Sequence, residues 1–460
     1  MYPNHLLVKE GKTSELSRLF WKLADADRRK IKCARERERF ADLKKLPKRE
    51  EGLLDYRILY GETAAGVPEA RYRAVAKGFR SLKGCEPEAF YSSSGRAEII
   101  GNHTDHNGGK VIVAAISCDI VAAVKRRGDG LVEIASKGFR PVRFQVSDTA
   151  RKRAETGRSA SLARGVAAGI ERLGYSLKDF GGFSAYTEST VFRGAGVSSS
   201  AAFEVLIAEI FNDLHLNGKM TPSEKAEVGR FAENEYFGKP CGLLDQSGVA
   251  YGGLNKIDFR NSSVPSVSAL PLPKGYSLVI TNTGGSHSEL TEYYAAIRGE
   301  MSEVAAFFGK RTLREINENS LLNALPNLRK KVSERAILRA FHFFEENVRV
   351  DRAAEALRRG DMSAFLNCMK ESGESSQKYL QNCFVPNSDV QPVSLALKLS
   401  EKLLKNGGYR LHGGGFAGTV LACVSDAEKE KYIRAMARVF GRENVFPAAV
   451  RKVGTMRVNF

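Results

Sequence analysis

One tryptophan and seven cysteines are all that the 460 residues contain of these two types, and each scarcity excludes a class of protein. Cys33, Cys85, Cys118, Cys241, Cys368, Cys383 and Cys423 are odd in number, widely spaced and without a CxxC pair. Such a set argues against a disulfide framework and against a cysteine-based zinc site. Long apolar runs are missing too. The longest, residues 111–116 and 420–424, fall far short of the ~20 residues that cross a bilayer. The opening stretch MYPNHLLVKEGKTSEL lacks the apolar core of a secretory signal. These absences predict a cytoplasmic protein without a membrane partner. No repeat or low-complexity tract occurs.

What is present is ordinary globular material with a positive balance. Hydrophobic residues make up 43%, enough for a sizeable core, and the net charge is +18. The length predicts two to four domains. Part of the charge lies in residues 28–49, where Glu36, Glu38 and Asp42 interrupt the lysines and arginines, the pattern of a solvated helix face. With no RNP1-like or zinc-finger pattern, nucleic acid is not expected as a main partner. The positive balance suits an enzyme that handles phosphates equally well.

Patterning predicts an α+β chain in two domains, 1–265 and 266–460. Residues 1–85 read as a helical extension, with helices over 14–24 and 71–82. A strand-like entry over 90–100, broken by small residues, is followed by strands over 111–116, 119–124, 132–136 and 142–146. Helices are predicted over 161–173, 201–214 and 222–237. Residues 262–275, where Pro265, Pro271 and Pro273 alternate with serines, mark the interior boundary. A strand over 276–281, a helical stretch over 290–404 and strands over 409–412 and 419–424 complete the chain.

Several phosphate motifs fail on context. Gly11-Lys12-Thr13 imitates the end of a Walker A loop, but Leu6 stands where its first glycine is needed. Gly413-Gly414-Gly415-Phe416-Ala417-Gly418 satisfies GxGxxG, yet a strand follows where a dinucleotide fold requires a helix. Gly194-Ala195-Gly196-Val197-Ser198-Ser199-Ser200 is different, because a helical pattern begins at its end. Its glycines permit close approach of a ligand, and a helix start offers free N–H groups to a triphosphate. An ordinary serine cap after a glycine turn would look the same. Residues 95–109, GRAEIIGNHTDHNGG, gather the donors and acceptors that a polyhydroxylated ligand needs, or form a polar loop. Asp245 stands alone among apolar and small residues in CGLLDQ. It suits a base tuned by a nearby cation, or a helix cap.

Taken together and in order, these stretches, with ENEYFGKPCGLLDQ at 233–246, resemble the GHMP kinase superfamily and within it the galactokinase family. The resemblance runs from about Phe90 onward. It implies a two-domain fold with the active site in the cleft, ATP phosphates on Gly194, Ala195, Gly196, Val197, Ser198, Ser199 and Ser200, and Mg²⁺ at Ser200 and Glu233. A hydroxyl with one carboxylate suits Mg²⁺, which keeps several waters. Asp245 resembles the family's catalytic aspartate, taking a proton from the sugar's anomeric hydroxyl, with Arg96 as its cationic partner. His103 and Asp105 match sugar-binding positions. Tyr294 is placed like a sugar-contacting tyrosine, with Tyr293 as the alternative register, and Gly242 would bring backbone close to the sugar.

The implied activity is ATP-dependent phosphorylation of galactose at its anomeric hydroxyl by a monomer. Three departures from the family's GRVNLIGEHTDYN matter: Glu98 replaces Asn, Asn102 replaces Glu and His106 replaces Tyr. The replaced Glu accepts from the sugar's 6-hydroxyl in the family. Asn102, at a substrate-binding position, keeps galacturonate, L-arabinose and N-acetylgalactosamine open as substrates. A non-catalytic galactose and ATP sensor, or a kinase of mevalonate or homoserine, are further alternatives. The extension before Phe90 departs from compact family members.

Overall fold

The chain is described from a computed structural model, which covers residues 56–61, 67–177, 181–191, 196–261, 264–284 and 290–459. The helix expected over 14–24, the basic segment 28–49, Gly194 and Ala195 lie outside these residues.

Two sheets carry the fold. The first contains β1 (Ala89–Ile100), β2 (Lys110–Arg127), β3 (Leu131–Ser136), β4 (Val142–Gln145), β5 (Gly182–Ser189), β6 (Leu254–Asp258) and β7 (Ser266–Leu270). Its edge is completed from far along the chain by β12 (Met456–Val458), giving the order β12-β1-β2-β5-β3-β4, with β6 joining β2 to β7. The second has the order β11-β8-β10-β9, from β8 (Tyr276–Asn282), β9 (Gly408–His412), β10 (Thr419–Ser425) and β11 (Val445–Ala448). All the pairings are antiparallel except β3 with β5.

β1 is one continuous strand despite its run of small residues. Its side chains are buried almost throughout, so it cannot show the alternation of a half-solvated strand. The serines are tolerated because their hydroxyls find partners: Ser92 donates to Asp119, and Ser93 donates to the Ala202 carbonyl at 2.7 Å. Gly95 is small of necessity, since a Cβ there would meet the Val197 carbonyl at 2.9 Å. The strands expected over 111–116 and 119–124 are a single strand, β2. Its first half pairs with β6 and its second half with β5, while β1 runs along its other side. A bulge between Ser94 and Gly95 absorbs the irregularity at Ser117 and Cys118.

The proline-punctuated stretch 262–275 contains a strand, β7, rather than linker alone. Its prolines flank the paired residues, as they must, because proline cannot donate to a ladder. The helix expected over 222–237 is α-helical from Pro222 to Phe231 and π-helical from Ala232 to Phe237. Thr221 and Glu224 close its start with a reciprocal capping box.

Before the first sheet, the helix Val67–Lys83 packs Tyr72, Val75 and Phe79 onto β2 and β5. Buried Asp119 ties this region to the sheet, accepting from Tyr60 at 2.7 Å and from Arg71 and Ser92 at 2.5 Å. No described helix is long and apolar enough to cross a membrane.

Candidate active site

A cavity of about 810 Å³ opens where β1, the start of the helix Ser199–His215, residues 239–245, the helix Thr291–Phe307 and the turn 413–416 converge. Its two ends are built differently.

At one end stands Asp245, in the first turn of the helix Leu244–Tyr251. Arg96, from the middle of β1, donates to its Oδ1 through Nε at 2.8 Å and lies 2.7 Å away through Nη2. Ser198 Oγ donates to Oδ2 at 2.5 Å. Burial alone would raise the Asp245 carboxyl, but Arg96, then Lys239 and Ser198, outweigh it and hold the group below the usual carboxylate range. Asp245 is therefore an ionised, fully oriented carboxylate rather than a helix cap.

Ser198 itself is left-handed at φ 60° and ψ 60°, a conformation uncommon outside glycine, and makes no side-chain cap on the helix that follows. Its hydroxyl is spent on Asp245 instead. The first N–H groups of a 17-residue helix are thus left facing the cavity beside Ser199 and Ser200 without a side-chain acceptor from Ser198. Arg96 Nη1 also donates to the Gly196 carbonyl, which tethers this loop to the same cation.

Behind the loop, Ser200 Oγ donates to Glu233 Oε1 at 3.0 Å. Glu233 is fully buried at the start of the π-turn, and Gln246 bridges it to Glu204, donating at 2.8 and 3.0 Å. Burial and the adjacent Glu233 raise Glu204 well above its ordinary range. Lys239 Nζ sits 3.0 Å from Glu233 Oε1. This lysine was not singled out in the sequence, although it is the only cation between Glu233 and Asp245.

At the other end, His103 Nε2 lies 2.9 Å from the Gly414 carbonyl and its ring packs edge-on to Tyr294, 5.1 Å between centroids. Burial pushes His103 down to about 4, so it is neutral and donates to that carbonyl. Burial, then the charges of Asp245 and Glu98, push Asp105 up to about 6, against N–H donors from His106 and Leu244. Gly242 is the contact that admits Asp105: a Cβ there would lie 1.8 Å from its Oδ2. The two candidate tyrosines are placed differently. Tyr294 lines the cavity, whereas Tyr293 packs on Phe416 in a separate apolar cluster.

Asn102 borders the cavity, yet its amide is occupied within the protein. Nδ2 donates to Glu98 Oε1 at 2.9 Å and to the Gly413 carbonyl at 2.7 Å. Oδ1 accepts from Asn382 at 2.9 Å and from Ser376 at 3.4 Å. His106 has its Nε2 buried without a partner among the described residues. Arg96, Asp245, Ser198, Ser199, Ser200, His103, Asp105, Gly242 and Tyr294 do converge on one cavity, while Glu233 reaches it through Ser200.

The fold, with the paired charges at one end of this cavity, defines a GHMP-type small-molecule kinase. The galactokinase galactose-binding signature matches residues 77–126, and the GHMP kinase N-terminal domain matches residues 159–253. A galactokinase of Streptomyces coelicolor is 31% identical over 385 residues, 83% of this chain and 94% of its own length. The galactokinase of Homo sapiens is 34% identical over 379 residues, covering 80% and 92%. Among solved structures, Lactococcus lactis galactokinase complexed with galactose superposes with a TM-score of 0.73 at 23% identity, covering 84% of this chain and 99% of that one. The chain belongs to the galactokinase family. Membership makes it an ATP-using phosphotransferase with an alcohol group as acceptor.

Proposed function

We propose that the chain is a sugar-1-kinase that transfers the γ-phosphoryl group of ATP to the anomeric hydroxyl of α-D-galactose, giving galactose 1-phosphate and ADP. The observation that carries this reading is the Arg96–Asp245–Ser198 arrangement at the unencumbered start of the helix Ser199–His215. Phosphoryl transfer asks the protein for positioning and charge neutralisation more than for covalent chemistry. Asp245 accepts the proton of the attacking hydroxyl on a carboxylate oxygen. Arg96 keeps that carboxylate ionised and faces the charge that develops on the phosphoryl group. Helix-start N–H groups and the loop from Gly194 to Ser200 hold the phosphates, as helix N-termini hold anions generally.

Ser200 and Glu233 are the residues we assign to Mg²⁺. Two hard oxygens 3.0 Å apart suit that ion, and the Lys239 ammonium on Glu233 Oε1 marks the spot as one that takes a cation. When bound, Mg²⁺ would supply charge neutralisation on the phosphates. His103, Asp105, Gly242 and Tyr294 are assigned to sugar binding, with Asn102 in a supporting place. The two-domain division at 265/266 is part of this proposal, with β7, which pairs within the first sheet, just beyond its break. A cytoplasmic monomer belongs to the same proposal.

A panel assay with Mg-ATP decides the matter, using galactose, galacturonate, L-arabinose and N-acetylgalactosamine. ADP release with a 1-phosphate product is expected for galactose. Galactose binding without ADP release would make the chain a sensor instead and sink the kinase assignment.

A further inference from the structure

Glu98 and Asn102 act as one unit. They stand four residues apart at the end of β1 and in the turn after it, and Asn102 Nδ2 donates to Glu98 Oε1. An amide has two donor and two acceptor positions. All four of Asn102 are taken by Glu98, Gly413, Asn382 and Ser376, so it has none to offer a ligand.

Glu98 is the reverse case. Its Oε1 is fixed by Asn102 and by Arg410 Nη1 at 3.0 Å, but no described residue donates to Oε2. The side chain is only 7% exposed, and that exposure is to the cavity it lines with Arg96 and Asp105. A nearly buried carboxylate oxygen without a donor is unfavourable unless something else supplies one. Inside a sugar cavity the available donors are the ligand's hydroxyls.

We infer that Glu98 accepts a hydrogen bond from a hydroxyl of the sugar and, by its charge, excludes sugars that carry a carboxylate at that point. The inference rests on the sugar-kinase reading and narrows it to neutral sugars. Two observations sharpen it. Arg410 is fully buried behind Glu98 and does not line the cavity, so it cannot be turned toward a ligand carboxylate, while the lining cation Arg298 acts on His106. Asp105 lies close enough for Glu98 to act on its charge, which sets two acceptors of one sign on the same ligand. A uronic acid would add a third carboxylate where like charges are poorly screened.

The test compares wild type, Glu98→Gln and the exchange Glu98→Asn/Asn102→Glu with galactose and galacturonate. Melting curves and KM for ATP serve as controls. Wild type that phosphorylates no sugar overturns the kinase reading itself, whatever Glu98 does. Where wild type turns over sugar, we expect galactose to be preferred by at least tenfold. Glu98→Gln should lower kcat/KM for galactose by about tenfold or more and narrow the preference over galacturonate by a similar factor, with KM for ATP unchanged. A wild type that prefers galacturonate, or a folded Glu98→Gln with unaltered preference, overturns the role of Glu98. Should glutamine leave Arg410 uncompensated and prevent folding, the exchange variant decides. It keeps one carboxylate in the pair and should still prefer galactose, and a preference for galacturonate there rejects the inference.

Discussion

The two ends of the cavity solve opposite problems. At the phosphate end every charge has a counter-charge within hydrogen-bonding distance: Arg96 with Asp245, Lys239 with Glu233. At the sugar end acceptor capacity is left open toward the cavity: Asp105 is pushed upward, His103 is held neutral, and Glu98, paired with Arg410 through Oε1, has no described donor on Oε2. The difference teaches that the first end is organised around charge that comes and goes during transfer. The second is organised around hydrogen bonds to a neutral partner, and it excludes rather than compensates.

The harshest way to break this comparison is Asp245→Asn, which removes the ionised carboxylate and leaves Arg96 without its partner. Sugar-dependent ADP release should fall by about a thousandfold, within the range ascribed to positioned acid–base groups. An unchanged rate would remove Asp245 from the chemistry. Gly242→Ala attacks the other end, since its methyl would displace Asp105 from a 1.8 Å approach. We expect kcat/KM for galactose to fall by about a hundredfold, the order that follows a misplacement near 1 Å. KM for ATP should stay as it was, and a matching rise there would show that the two ends are not separable.

A subtler effect is expected of Lys239→Met. Lys239 helps hold Asp245 below the usual carboxylate range, so its loss raises the Asp245 pKa. The acidic limb of the kcat/KM profile should therefore move to higher pH, and a limb that stays in place would confine Lys239 to Glu233. The smallest effect concerns Asp105. With its carboxyl at about 6, it gains a proton as pH falls through that value, loses its charge and turns one acceptor oxygen into a donor. KM for galactose should rise severalfold below about pH 6, and Asp105→Asn should abolish that dependence. Titration of the sugar KM in both proteins measures it.

Much of the phosphate end was legible in the sequence because it is local. The run from Gly196 to Ser200 forms the loop and helix start in one piece, and Glu233 and Asp245 flank a single short segment. What could not be read there was the role of Ser198. A serine before a helix suggests a cap, and only the left-handed backbone reveals that its hydroxyl serves Asp245. The sugar end was legible in its residue types but not in their duties. Asn102 stood out as one of the departures from the family signature, yet its partners, Ser376, Asn382 and Gly413, come from much later in the chain. No local pattern records that an amide is already saturated. The fold was similar: helices and strands over most of the chain followed from periodicity. β2 looked like two strands because its neighbours change midway, and β7 was hidden among prolines.

β12 has a consequence for how this molecule is made. The strand that carries Arg96 is flanked on its outer side by residues 456–458, paired Phe90 with Val458 and Ser92 with Met456. A ribosome releases β1 long before that cover, so the outer backbone at residues 90–92 lacks these partners until residues 456–458 are made. Open strand edges recruit other chains, and pairings so distant in sequence are slow to form. Stalled or prematurely ended synthesis would therefore yield aggregation-prone fragments, even where every residue of the cavity had already been translated.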